Sequence, residues 1–235
     1  MTMIKIYPAS SRYSTDHGWL VSHFSFSFAD YYDPDNTRFG PMRVLNDDTV
    51  QGGRGFGAHP HREMEIVTIV LEGQLQHEDS SGHRAVTTYG GVQRMTAGTG
   101  IIHSEMNPGQ DDVTLLQMWF DPEERGLEPS YETTEFKVEA LKNNLLPVVS
   151  KPKAGPGVAG IHQDMSIYLS ELDGGKSVTF EQPEGRRVFF MVLDGEAALN
   201  NGTILGKRDS ARITETPSLT IGSAAGARFM LIDLP

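Results

Sequence analysis

The chain has 235 residues, 38% hydrophobic and 22% charged, enough to bury one large β domain or two of about a hundred residues each. Its 31 acidic residues outweigh 20 basic ones, and the formal charge of −11 disfavours direct nucleic-acid binding through a broad basic face. There is no cysteine, which excludes disulfides, thiolate zinc sites, iron–sulfur clusters and cysteine nucleophiles. A cytoplasmic location is the expectation. No secretory leader is expected from Met1 to Tyr13, and no stretch approaches the roughly 20 apolar residues of a membrane span.

Along the chain, Phe24, Phe26 and Phe28 alternate with small residues and lead to Tyr31 and Tyr32; this reads as a buried strand face. Gly52-Gly53-Arg54-Gly55-Phe56-Gly57 lacks the Lys-Ser/Thr ending of a phosphate loop and is read as the approach to a strand. Strands are expected at Val67–Leu71, ending at Glu72-Gly73, then from Gln74 to His77 before a turn at Ser80-Ser81-Gly82. Leu115 to Phe120 forms another, stopped by Asp121-Pro122. The charged stretch Glu132 to Asn144 is the best helix candidate, and Lys151 to Gly157 a linker. Val188 to Leu193 stops at Asp194-Gly195, Asn201-Gly202 marks a tight hairpin (not a glycosylation site), and Arg228 to Leu234 is the last strand. Many short strands with regular turns predict an all-β sandwich or barrel. Val70-Leu71-Glu72-Gly73 and Val192-Leu193-Asp194-Gly195 form a weak repeat, so two similar β units are expected.

Chemistry concentrates in His59-Pro60-His61 and His103-Ser104-Glu105. Each pair sits at i and i+2, and such residues share one face of a β-strand. Two adjacent strands would aim three imidazoles and a carboxylate at one point. That set suits a borderline transition metal such as iron and leaves positions open for a substrate. Glu63 and Glu65 are read as solvated or as carboxylates that orient a ligand, and Glu65 lies roughly 13 Å along a strand from His61 at about 3.3 Å per residue. His77 and His83 flank a turn and are read as surface histidines; His17, His23 and His162 are read as structural. His162 is the only histidine after His103, so the second β unit is expected to hold no metal.

Gly53-x5-His59-x-His61 with Gly73, and Gly100-x2-His103-x3-Asn107, resemble the two cupin motifs. The chain is similar, more specifically, to the pirin family. The resemblance is carried by Phe24 to Pro34, Gly40 to Asp48, His59-Pro60-His61-Arg62, Ala97 to Glu105 and Ile161-His162-Gln163-Asp164. It implies two jelly-roll-like cupin β-barrels in tandem, 1–131 and 132–235, with a short helical linker. It implies one divalent metal, usually iron, in the first barrel, held by His59, His61, His103 and Glu105. The general cupin pattern would put its glutamate near Glu65; the pirin pattern favours Glu105. Bacterial pirin-like proteins resemble quercetin 2,3-dioxygenases, which implies a flavonol-like aromatic substrate and O₂, with Glu105 as general base. The family resemblance also allows a redox-responsive regulatory protein that binds a protein partner without turnover.

Overall fold

The computed structural model describes residues 3–200 and 202–235. Among the described residues, twenty-two strands run in chain order: β1 (Met3–Tyr7), β2 (Tyr13–Asp16), β3 (Leu20–Phe24), β4 (Met42–Val50), β5 (Gly55–His61), β6 (Glu65–Glu72), β7 (Gln74–Asp79), β8 (Arg84–Thr88), β9 (Gly91–Thr96), β10 (Ile101–Met106), β11 (Val113–Phe120) and β12 (Ser130–Glu135). Then follow β13 (Leu146–Ser150), β14 (Ala159–Gly160), β15 (Ser166–Asp173), β16 (Lys176–Glu181), β17 (Arg187–Gly195), β18 (Ala197–Leu199), β19 (Thr203–Leu205), β20 (Ser210–Thr214), β21 (Ser218–Ser223) and β22 (Gly226–Leu234). The all-β expectation holds. Among the described residues there is no α-helix, and no helix is long and apolar enough to cross a membrane.

The chain divides into two compact units, one of 13–136 with 159–163, the other of the chain through Arg12 with 137–158 and 164–235. The first unit pairs a larger sheet, β12-β9-β6-β11-β4-β3-β2, with a smaller one, β5-β10-β7-β8. Val50, Val70, Leu75 and Leu115 pack between them, drawn from both sheets. Central strand β6 is buried from Glu65 to Val70, so its sequence is a nearly continuous apolar run and not an alternation. Strand β10, an inner strand of the smaller sheet, alternates instead: Ile101, His103 and Glu105 are buried while Ile102 and Met106 are exposed.

The second unit repeats this arrangement, with β20-β17-β22-β15-β13 in the larger sheet and β16-β21-β18-β19 in the smaller. Its core is apolar, including Phe190, Val192, Phe229 and Leu231. Fully burying one such side chain contributes about 1.5–3 kcal/mol. The N-terminal strand β1 completes this sheet by pairing with β20, Met3 opposite Thr214 through Tyr7 opposite Ser210.

The expected helix at Glu132 to Asn144 does not form. Residues 132–135 are extended in β12, paired with β9 from Ser130 opposite Thr96 to Glu135 opposite Gly91. Tyr131, Thr133 and Thr134 suit a pleated strand, and the pairing satisfies the backbone of β9. Only Val138–Leu141 is helical, as a short 3-10 segment. At the expected Asn201-Gly202 hairpin, Asn201 lies outside the described residues; the flanking strands pair, with Leu199 opposite Thr203. The aromatic stretch is a strand only to Phe24; Phe26 is buried, but Tyr32 is 75% exposed.

Candidate metal centre

The histidine patches lie on neighbouring antiparallel strands of the small sheet. His59 on β5 stands opposite His103 on β10, His61 opposite Ile101, and Glu105 opposite Phe56 after an irregularity between His103 and Glu105. The strands approach closely at Gly55, where a Cβ would lie 2.2 Å from the Glu105 carbonyl oxygen, so that glycine has a steric cause. Gly73 serves the β6–β7 turn with φ +79° and abuts Asp112.

This register brings His59, His61 and His103 together. Ring centroids are 4.8 Å apart for His59–His61, 4.4 Å for His59–His103 and 4.9 Å for His61–His103. His59 Nε2 and His103 Nε2 face each other at 3.0 Å. His59 Nδ1 lies 2.8 Å from the Gly57 carbonyl, which only accepts, so His59 donates there and keeps the Nε2 lone pair for the cluster. Burial, then the charge of His59, lowers the pKa of His61 to about 4. Burial, then His59 and His61, lowers that of His103 to about 3. These two rings are therefore neutral near pH 7, the form that donates electron pairs to a metal. The ligand atoms of the three histidines lie within 4.8 Å of one another, so the donor set fits a transition-metal ion.

Glu105 is 3% exposed and shares His103 with a second group, His77, His103 and Glu105. Burial, opposed by a hydrogen bond from Gln117, raises the Glu105 pKa to about 7. Gln117 Nε2 donates to Glu105 Oε2 at 2.7 Å, and Trp119 Nε1 donates to Gln117 Oε1 at 3.1 Å. Trp119 also meets the His61 ring edge-on at 4.8 Å. Sequence reasoning missed Gln117 and Trp119, although both sit at alternate positions of the strand foreseen at Leu115 to Phe120.

His77 corrects the surface reading: it is 1% exposed. On β7, Leu75, His77 and Asp79 are buried in alternation with Gln74, Gln76 and Glu78, and His77 stands opposite Glu105. That alternation was the available signal. His83 keeps a side chain 44% exposed. Glu65 is fully buried, not solvated; it accepts from Thr96 Oγ1 and from the His162 backbone, both at 3.1 Å. Glu63 accepts from the Gly126 backbone.

A cavity of about 280 Å³ lies beside the cluster, lined by Phe24, Phe28, Asp48, His59, Glu105 and Trp119 among others. Phe28 meets Trp119 edge-on at 5.4 Å and Phe24 at 5.1 Å. His17, read as structural, also lines it. Asp48 accepts a hydrogen bond from the Ser22 hydroxyl; burial, against that bond and with Asp47 and Glu105 nearby, raises its pKa to about 7.

The sequence profile described as Pirin matches residues 7–120, and the one described as Quercetinase C-terminal cupin domain matches 148–234. The chain is 39% identical over 234 residues to a quercetin 2,3-dioxygenase of Escherichia coli K12, with 99% of each chain covered. Among solved structures it is similar to YhhW from Escherichia coli, with a TM-score of 0.94, 39% identity and 99% and 98% of the two chains covered. It is also similar to the bacterial pirin YhhW in complex with nickel(II), with a TM-score of 0.92, 39% identity and 99% of both chains covered.

Proposed function

Because the chain belongs to the pirin family of metal-binding cupins, we propose that it is a metal-dependent dioxygenase that opens a flavonol such as quercetin with O₂. The observation that carries this reading is the convergence of His59, His61 and His103 beside an aromatic-walled cavity that also presents Glu105. The proposed ligands are His59, His61, His103 and Glu105. The proposed ion is divalent and first-row, with iron the first choice; the nickel(II) complex of the 39% identical relative supports a first-row ion. When bound, such an ion supplies a Lewis acid that polarises the substrate's oxygens and lowers the pKa of its hydroxyl.

The chain's own groups do the rest. The cavity, at about 280 Å³, lies just below the usual range of ligand pockets, roughly 300–1,000 Å³, and its aromatic lining suits a small flat aromatic molecule. Phe24, Phe28 and Trp119 line it with aromatic surface. Gln117 occupies Glu105 Oε2, so Glu105 takes the proton of the hydroxyl beside the ketone at Oε1. In the metal-free protein, burial raises its pKa to about 7. Both atoms of O₂ enter the opened product, and one ring carbon leaves as carbon monoxide. The 39% identity to a quercetin 2,3-dioxygenase across the whole chain supports this chemistry.

The test is direct. Iron-loaded protein is mixed with quercetin while O₂ uptake and carbon monoxide release are followed. Equal amounts of both are expected. Fully metallated protein without flavonol-dependent uptake overturns the enzyme reading in favour of a regulatory metal protein.

A further inference from the structure

A buried row of side chains leads away from the metal centre, and the chemistry above does not use it. His103 Nδ1 lies 3.3 Å from His77 Nδ1, and His77 Nε2 lies 3.1 Å from Asp79 Oδ2. His83 Nδ1 then lies 3.2 and 3.1 Å from the two Asp79 oxygens. His77 and Asp79 are 1% and 8% exposed, whereas His83 reaches solvent. Tyr131 stacks on the His77 ring at 4.0 Å and 8°, which holds its plane.

The polarity of this row follows from its far end. An ionised carboxylate only accepts hydrogen bonds. Asp79 Oδ1 accepts from the backbone N–H groups of Ser81 at 2.8 Å and His83 at 3.2 Å. Asp79 Oδ2 therefore accepts from His77 Nε2–H. A neutral imidazole carries one N–H, so His77 Nδ1 bears a lone pair and accepts from His103 Nδ1–H. The lone pair of His103 is then on Nε2, the atom that faces His59 Nε2 at 3.0 Å. His59 reaches the same state by a shorter route, through its bond to the Gly57 carbonyl.

We propose that His77, aligned by Asp79 and Tyr131, is a positioning residue that fixes the tautomer and ring orientation of His103 so that its Nε2 is presented with the donor atoms of His59 and His61. The inference rests on the metal-centre reading above. His77 also stands with His103 and Glu105 in a group compact enough to hold an ion itself. Its bonding argues against that use: Nε2 is taken by Asp79 and Nδ1 by His103, which leaves no ring nitrogen for a metal. Partners that orient a ligating histidine typically change metal affinity by about 10–100-fold.

The experiment measures nickel(II) affinity of the full chain by competition with a chromophoric chelator, and counts imidazole ligands by X-ray absorption. His77→Phe keeps a ring against Tyr131 and removes the acceptor; His77→Gln keeps a carbonyl acceptor. His77→Leu repeats the test if the phenyl variant does not fold. Wild type is expected to bind nickel through three imidazoles. The Phe or Leu variant is expected to bind about 10–100-fold more weakly with the same imidazole count, and the Gln variant to recover most of the affinity. Wild-type affinity in His77→Phe, or no recovery in folded His77→Gln, overturns the inference. An imidazole count that falls by one also overturns it, because His77 would then be a ligand. No nickel binding by wild type would instead remove the metal-centre reading itself.

Discussion

Replacing Asp48 by asparagine should stabilise the metal-free protein at neutral pH and leave it little changed in acid. Asp48 is 4% exposed, and burial moves its carboxyl from 3.8 to about 7 despite the Ser22 hydroxyl. Its folded pKa is raised, so between about pH 4 and 7 the folded state binds a proton that the unfolded state has released. Stability therefore falls as pH rises through that window, and the loss is complete above it. Three pH units at about 1.36 kcal/mol each amount to about 4 kcal/mol. Asparagine mimics the protonated acid: its carbonyl still accepts from Ser22 and nothing titrates. Urea unfolding of both chelator-treated proteins, from pH 4.5 to 8, reads the difference directly. The wild-type curve should fall relative to Asp48→Asn by several kcal/mol, with its steepest change below pH 7. A gap between the two proteins that does not vary with pH would refute the account of this carboxyl.

His61→Ala should lose most of the bound metal, read by elemental analysis, while circular dichroism still reports a folded β protein; full metal retention would remove His61 from the ligand set. Glu105→Gln keeps an oxygen donor and removes the base, so it should retain some metal and lower quercetin turnover by roughly 10²–10⁴-fold. Turnover at the wild-type rate would leave an enzyme without Glu105 as its base. In the second unit, Phe229→Ala empties a fully buried site 5.0 Å from the Phe190 ring and should cost about 3–5 kcal/mol in urea unfolding. A loss below about 1 kcal/mol would mean that the core there is not close-packed.

Much of the candidate site was legible because strand geometry is local. A period of two places His59 with His61, and His103 with Glu105, on shared faces whatever surrounds them, and β5 and β10 are indeed strands. Turn residues are equally local, so the ends of β6 at Gly73 and of β17 at Gly195 could be read from the chain. The charged composition of Glu132 to Asn144 pointed to a helix that does not form, because propensity is weak and pairing with β9 outweighs it. His77 looked like a turn-flanking surface residue, because what buries it is Glu105 across the strand pair and Tyr131 stacked on it, both distant in sequence.

The β class, the two-unit pattern and the candidate metal ligands were readable from the chain alone, since each depends on side-chain type and short spacing. That β1 completes the second unit's sheet and that His59 stands opposite His103 came from the tertiary structure. It alone joined Gln117, Asp48 and the His77–Asp79 pair to the cavity and the ligands. These are non-local pairings, set by strand register and by the need of buried polar groups to find partners, and neither is written in any short stretch of the chain.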